Sequence, residues 1–276
     1  MRGARFDGAI EGVTELVEAD APRRTADVAA AVTDLCSRLG SATAIGIGFA
    51  GLVDFDAGRL VWSPHLDQGL DLGPILSDAL GVPVAVDNDA NAAALAEATA
   101  GAGMGYRTVF MVAIGTGIGG GLVIDGRIER GRGFLGEVGH IQVDPSGPLC
   151  ACGSTGCWEA VASGSALDRA AHDLLGSGAT GRDLVSAAAD DPNAAAALDA
   201  VAQWIGVGLG AVVSAFDPDI VIVGGGVGTE SKILTKAVDA MAGFVPGYAH
   251  RPATPVVAAH FGAAAGVVGA ALLASR

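Results

Sequence analysis

At 276 residues, 51% of them hydrophobic, the chain is long enough for two lobes with a core each. Its 16 Lys and Arg against 30 Asp and Glu leave a formal net charge of −14, and no basic run occurs, which excludes a phosphate-tracking nucleic-acid surface. Neither a secretory signal nor a membrane span is expected: residues 1–7 lack an apolar core, and apolar stretches such as 257–274 are rich in Ala and Gly and carry His260.

Residues 26–39 repeat apolar side chains at helical spacing, with Cys36 among the core positions. A short buried strand at 44–49 ends in the turn Ala50-Gly51-Leu52-Val53-Asp54, and residues 60–62 read as a further strand. A helix over 72–80 is stopped by Gly81 and Pro83. The strand at 84–86 runs into Asp87-Asn88-Asp89-Ala90-Asn91, from which a helix of Ala and Leu extends to about residue 100. A strand at 108–114, a glycine loop at 115–121 and a strand at 122–124 follow, and Gly126 turns the chain into a hairpin with Arg127 and Ile128. Beyond a cysteine-rich segment, helices begin near Trp158, Asp190-Asp191-Pro192 separates two of them, and a long helix covers 194–215. A strand at 220–223 feeds Gly224-Gly225-Gly226, a helix covers 229–242, and a strand at 256–259 precedes a terminal helix. Strands alternating with helices predict α/β layers with parallel strand segments. Many of the 43 glycines fall in short loops with apolar flanks, which reads as tight turns and not as disorder.

Three of the four cysteines, Cys150, Cys152 and Cys157, fall within eight positions, and His140 lies ten residues upstream. Glycines between them let the sulfurs converge, and three thiolates with one imidazole complete a tetrahedral zinc set. Four protein ligands leave no open position, so such a metal is structural. A zinc deaminase is excluded, because it needs His-x-Glu and Cys-x-x-Cys. Clustered thiols without a secretory signal fit a reducing cytoplasm. Glu137, three residues before His140, shares its face of a helical turn, and Glu159 follows the last cysteine. Carboxylates on a metal-fixed loop can accept hydrogen bonds from sugar hydroxyls, and Glu159 can equally serve a helix N-terminus.

The segment Gly115-Thr116-Gly117-Ile118-Gly119-Gly120-Gly121 can bring backbone N–H groups to a phosphate, or can be a plain glycine-rich hairpin. It is not a Walker loop, since no Lys-Ser/Thr follows, and a strand follows it where a dinucleotide fingerprint needs a helix. Gly224-Gly225-Gly226, between a strand and a helix, suits a nucleotide lying at a strand's carboxyl end. Asp87-Asn88-Asp89 can cap the helix that it opens. Capping accounts for one carboxylate and leaves the other to accept a proton from a substrate hydroxyl.

Taken in this order, several stretches resemble the ROK family of sugar kinases and sugar-responsive repressors. They are Gly48-Phe49-Ala50-Gly51-Leu52-Val53-Asp54, residues 86–94 around Asp87-Asn88-Asp89, residues 115–121, Gly136-Glu137-Val138-Gly139-His140, the cysteine motif and Val223-Gly224-Gly225-Gly226. The likeness runs from residue 44 to the C-terminus, with bacterial glucokinases the most similar members. It implies an α/β, two-lobed, actin-like (ribonuclease-H-like) ATPase fold with a cleft between the lobes. The smaller lobe would hold residues 1–88 plus 260–276, the larger one residues 89–259 with the zinc motif. The resemblance also implies phosphorylation of a hexose, glucose to glucose 6-phosphate, using ATP and Mg2+, by a cytoplasmic homodimer. Position by position, Asp89 is the base, and Asn88, Glu137, His140, Glu159, His65 and Gly51 surround the sugar. Gly115, Thr116 and Gly117 approach the ATP phosphates, Gly225 lies near the nucleoside, and His140, Cys150, Cys152 and Cys157 bind zinc. An N-acetylhexosamine kinase and a sugar-binding regulator without a DNA-binding module are the alternatives.

The chain departs from the family in three places. Ala50 stands where Pro is usual, and His65 stands where an Asn meets the sugar. The family's opening strand, with Asp-x-Gly-Gly-Thr near the ATP phosphates and magnesium, has no counterpart here. Residues 1–8 resemble the segment just after that strand, so a start further upstream is expected. Without the motif, phosphoryl transfer would slow by orders of magnitude.

Overall fold

In the computed structural model, which describes residues 1–6, 13–63 and 66–275, the chain divides into two units. The first holds residues 1–105, 121–136 and 264–276, and the second holds 106–120 and 137–263. The expected boundary at residue 88 is therefore corrected. The helix that opens at Asp89 stays with the first unit, and so does a hairpin from the middle of the chain.

The first unit begins with an antiparallel ribbon of β1 (Arg2–Phe6) and β2 (Val13–Glu18), which the sequence pattern had left unassigned. Helix α1 (Thr25–Leu39) buries Val28, Val32 and Leu35 along one face. Strand β3 (Ile45–Phe49) is followed by the hairpin β4 (Leu52–Asp54) and β5 (Arg59–Trp62). Helix α2 (Leu72–Leu80) ends at Gly81, whose left-handed φ of 68° turns its N–H back to the Ser77 carbonyl. Strand β6 (Val84–Asn88) pairs in parallel with β3 and passes directly into α3 (Asp89–Ala100).

The second unit opens with β7 (Thr108–Ile114), and β8 (Ile118–Ile124) carries the chain back into the first, where β9 (Arg127–Glu129) returns along it. Asp125 (φ 49°) and Gly126 (φ 74°) are both left-handed, as a two-residue hairpin turn requires. Within the second unit a 3-10 turn at Val138–His140 and the cysteine segment lead to α4 (Trp158–Ala162), α5 (Gly164–Leu175) and α6 (Gly181–Ala187). Helix α7 (Pro192–Phe216) has Asp191 as cap and Pro192 at its first position. Strand β10 (Ile220–Gly224), the short α8 (Gly225–Gly228), α9 (Ser231–Met241) and β11 (Val256–Ala258) complete this unit, and α10 (Ala265–Ala274) lies in the first. Strands β11, β10 and β7 are adjacent and parallel.

One boundary needs correction. Strand β8 starts at Ile118, so the glycine loop is only Gly115-Thr116-Gly117, and Gly119, Gly120 and Gly121 lie inside the strand. At Gly121 the reason is visible: a Cβ there would sit 2.7 Å from the Ala94 Cβ and 2.8 Å from the Ala90 carbonyl oxygen. The strand is bare where α3 leans on it.

The core of the first unit is built on the same economy. Helix α3 buries Ala90, Ala92, Ala93, Ala94, Leu95 and Ala96, and α10 packs against it and against β3. A methyl group on Gly269 would overlap the Ala92 carbonyl, and one on Gly46 would overlap the Ala270 carbonyl. In the second unit α7 is long and apolar enough to cross a bilayer by length and composition, yet α4, α5, α6 and α9 pack around it. Trp158 fills a slot in α7 that exists because residue 208 is glycine, and its indole N–H donates to the Trp204 carbonyl at 2.9 Å. That anchor follows Cys157 directly, so it ties the cysteine segment to the longest helix.

Gly269→Ala is expected to lower the unfolding free energy by about 1–3 kcal/mol through overpacking. A urea midpoint equal to that of the parent would show that α10 can move away from α3 without loss.

Candidate functional site

The polar residues of the first unit gather where β6 becomes α3. Asn88 is the helix cap: its Oδ1 accepts from the N–H groups of Ala90 (2.8 Å) and Asn91 (3.2 Å), and its Nδ2 donates to the Gly51 carbonyl at 3.0 Å. The expectation that capping uses one of the two carboxylates is thus corrected, because the amide between them does it. Gly51 has a left-handed φ of 139°, and a side chain there would strike the Trp62 carbonyl.

Asp87 is 1% exposed, and both of its oxygens are engaged. Oδ2 accepts from Arg130 Nε (2.9 Å) and Nη2 (2.7 Å), while Oδ1 accepts from the Asn88 N–H (2.7 Å) and Asn91 Nδ2 (3.0 Å). The guanidinium of Arg130 also lies 3.7 Å from the centre of the Phe55 ring. Asp87 is therefore a structural anion that pins the turn. Asp89 follows as the first residue of α3, exposed beside Gly48, with its Oδ1 accepting from the Ala90 N–H at 2.9 Å. Sequence reasoning missed Arg130, which sits just past a hairpin with no local signature. His65 lies outside the described residues.

In the second unit His140, Cys150, Cys152 and Cys157 converge, with one ligand atom from each lying within 4.8 Å of all the others. Cys150 Sγ is 3.6 Å from His140 Nδ1, and the sulfurs of Cys152 and Cys157 are also 3.6 Å apart. The local fold explains this meeting. The Cys150 N–H donates to the Ser154 carbonyl (2.7 Å) and the Gly153 N–H to the Cys150 carbonyl (3.0 Å), making a tight knuckle. Gly153 and Gly156 take left-handed φ of 90° and 68°, and a side chain at 156 would run into the Asp144 carbonyl. His140 closes the 3-10 turn, with its N–H on the Glu137 carbonyl at 3.1 Å.

These donors and spacings fit one tetrahedral cation. Burial pushes the Cys157 thiol up to about 12 and raises Cys150 as well, whereas the backbone N–H of Ser154 brings Cys152 down to about 7. Sulfurs packed this closely become three thiolates only with a cation among them. On the other side of the imidazole, His140 Nε2 faces Glu137 Oε2 at 3.9 Å. One ring thus spans the cluster and a carboxylate.

Glu159, in the first turn of α4, reaches the glycine turn after β7: its Oε2 accepts the Ile118 N–H at 2.8 Å, and its Oε1 lies 3.9 Å from Cys150 Sγ. The turn has other ties. The Gly115 carbonyl accepts from the Gly164 N–H (2.7 Å), and the Thr116 carbonyl accepts from the Ser165 hydroxyl (2.8 Å). Thr116 itself is exposed. Gly225 has φ of 80°, and a side chain there would overlap the Ile114 carbonyl, so the turn after β10 rests against the end of β7. Both glycine turns picked out in the sequence therefore meet at the carboxyl ends of two adjacent parallel strands, a place that open α/β sheets use for nucleotides.

Known proteins carry the same frame. The family model for the ROK family matches residues 20–276. A glucokinase from Streptomyces coelicolor is 37% identical over 252 residues, spanning 84% of this chain and 80% of its own. The crystal structure of a ROK family glucokinase from Streptomyces griseus, in complex with glucose and AMPPNP, is similar with a TM-score of 0.87 and 36% identity, over 96% of this chain and 93% of that one. A ROK hexokinase from Thermus thermophilus is similar with a TM-score of 0.85 and 37% identity, over 99% of this chain and 94% of that one.

Arg130→Met leaves the buried Asp87 carboxylate without its counter-charge, and is expected to cost about 3–5 kcal/mol of stability in denaturant unfolding. A loss under 1 kcal/mol, the range of a surface pair, would remove Arg130 from this role.

Proposed function

We propose that this chain, which belongs to the ROK family, transfers the γ-phosphoryl group of ATP to a hexose, with glucose as its first substrate. One observation carries the reading. Glu159 joins the cysteine–histidine knuckle to the glycine turn after β7, so residues suited to hold a sugar and residues suited to approach phosphates share one framework. The glucokinase relatives support the choice of substrate.

Asp89 is the proposed base. It stands at the end of β6 on a backbone held by the Asn88 cap and the Asp87 anion. A carboxylate so placed orients a sugar hydroxyl and accepts its proton as the oxygen attacks phosphorus. Asn88 spends its amide oxygen on the cap and one N–H on Gly51, which leaves its second amide hydrogen for a hydroxyl. Glu137 and Glu159 accept from further hydroxyls, and His140 presents Nε2 from the side of its ring away from Cys150. Demanding several paired hydroxyls rejects ligands that lack them.

The N–H groups of the Gly115–Gly117 turn and the Thr116 hydroxyl stabilise phosphate charge, and Gly225, in the turn that rests on the end of β7, lies near the nucleoside. Mg2+ accompanying ATP would offset the remaining charge. Zinc, held by His140, Cys150, Cys152 and Cys157, would supply no chemistry, since four protein ligands complete its shell; it would fix the knuckle that carries Glu159. Reduced thiols in such a cluster suit the cytoplasm.

ADP release is measured with glucose, N-acetylglucosamine, N-acetylmannosamine and fructose, and turnover is expected with glucose above the others. Asp89→Asn is expected to lower kcat by about 10²-fold or more while glucose binding by calorimetry stays within a few-fold. Retained turnover would remove Asp89 as the base. Elemental analysis is expected to find one zinc per chain. Stripping it should lower the unfolding free energy by about 2.7 kcal/mol relative to metal at a hundred times its Kd. A metal-free chain with an unchanged melting curve would sink the zinc assignment.

A further inference from the structure

We infer that Glu159 is a positioning residue for the phosphate-facing glycine turn as well as a sugar contact, so that one carboxylate links the two substrates. The inference rests on the kinase reading and deepens it. Its ground is the geometry around Gly117. Glu159 Oε2 holds the Ile118 N–H at 2.8 Å, and a Cβ on residue 117 would overlap that same oxygen. The carboxylate reaches the strand only because residue 117 has no side chain.

The turn is held from both directions. The start of α5 binds the carbonyls of Gly115 and Thr116 through Gly164 and Ser165, and Glu159 binds the N–H just past Gly117. With these groups fixed, the N–H groups of Thr116 and Gly117, which donate to no acceptor among the described residues, are set in place before a phosphate arrives. Glu159 is half-buried, and its Oε1 points toward Cys150 of the knuckle. A hydroxyl donating to Glu159 would narrow the rotamers of the carboxylate that holds the turn. Sugar binding would then tighten nucleotide binding, and nucleotide would tighten sugar by the same factor.

The test is calorimetry on the full chain with AMPPNP and Mg2+, and separately with glucose, each in the absence and presence of the other. Glu159→Asp keeps the charge but is one methylene too short for the Ile118 N–H, whereas Glu159→Gln keeps an acceptor at the right length. Without glucose, Glu159→Asp is expected to bind AMPPNP about tenfold or more weakly, the loss of a charge-assisted backbone hydrogen bond. Glu159→Gln should stay within a few-fold of the parent, and KM for ATP should follow the same order. Glucose should tighten AMPPNP binding in the parent and fail to do so in Glu159→Asp.

Gly117→Ala supplies the reciprocal arm and stands alone if Glu159→Asp does not fold. Its added methyl displaces the carboxylate, so glucose binding without nucleotide should weaken, although residue 117 belongs to the phosphate side. Parent-like AMPPNP affinity in Glu159→Asp, or parent-like glucose affinity in Gly117→Ala, would overturn the inference. A parent chain that binds neither AMPPNP nor glucose would instead remove the kinase reading.

Discussion

Gly269 faces the Ala92 carbonyl with no room for a methyl group, and Gly46 faces the Ala270 carbonyl in the same way. Helices α3 and α10 and strand β3 thus meet almost backbone to backbone. The same restriction recurs in the second unit, where Gly208 makes the slot for Trp158 and Gly225 lets one turn rest on the end of β7. Close packing of this kind accounts for several of the chain's 43 glycines. Contacts of this kind bury little apolar area per residue, but they leave few rotamers to settle, so the frame is stiff. Within the first unit Asp89 takes its position from α3, and within the second Glu159 takes its position from the segment that Trp158 anchors.

On that frame the carboxylates of Asp87 and Glu159 are held by donors from the protein. Asp87 receives four hydrogen bonds, two of them from one guanidinium, and its charge is spent on shaping the turn. Asp89, two residues on, opens α3 and is the proposed base. The two neighbouring carboxylates thus differ in their surroundings: Asp87 is buried against Arg130, whereas Asp89 is exposed. Such preorganisation orders the dipoles in folding, before any substrate arrives, and that is why fixed polar groups act more strongly on developing charge than mobile water does.

Much of this was legible in the residue pattern. Gly81 and Pro83 marked the end of α2, and the glycine turns after β7 and β10 were visible as glycines behind apolar strands. The meeting of the three cysteines with His140 was legible because the four residues lie close together in sequence. Other features had no local trace. The Asp87–Arg130 pair spans 43 positions, and nothing near Arg130 announces it. Helix α3 is buried on nearly all sides, so its sequence shows no polar face, and its partner α10 lies far along the chain. That distance is also why a boundary placed at Asn88 missed the unit that α3 belongs to. In the Gly119–Gly121 run, composition alone reads as loop. The strand there is dictated by the approach of Ala90 and Ala94, which only tertiary structure reveals.

The path of the chain has a consequence for biosynthesis. The first unit is assembled from three separated stretches, and its core is closed by α10. During translation α3 and β3 must wait with their glycine- and alanine-lined surfaces uncovered while the whole second unit is made. The second unit is complete in sequence before α10 is made, so it does not depend on that helix to gather its own sheet and helices. The first cannot finish until α10 emerges. Contacts so distant in sequence form slowly, and a half-closed intermediate with bare apolar surface is the state that chaperones would meet.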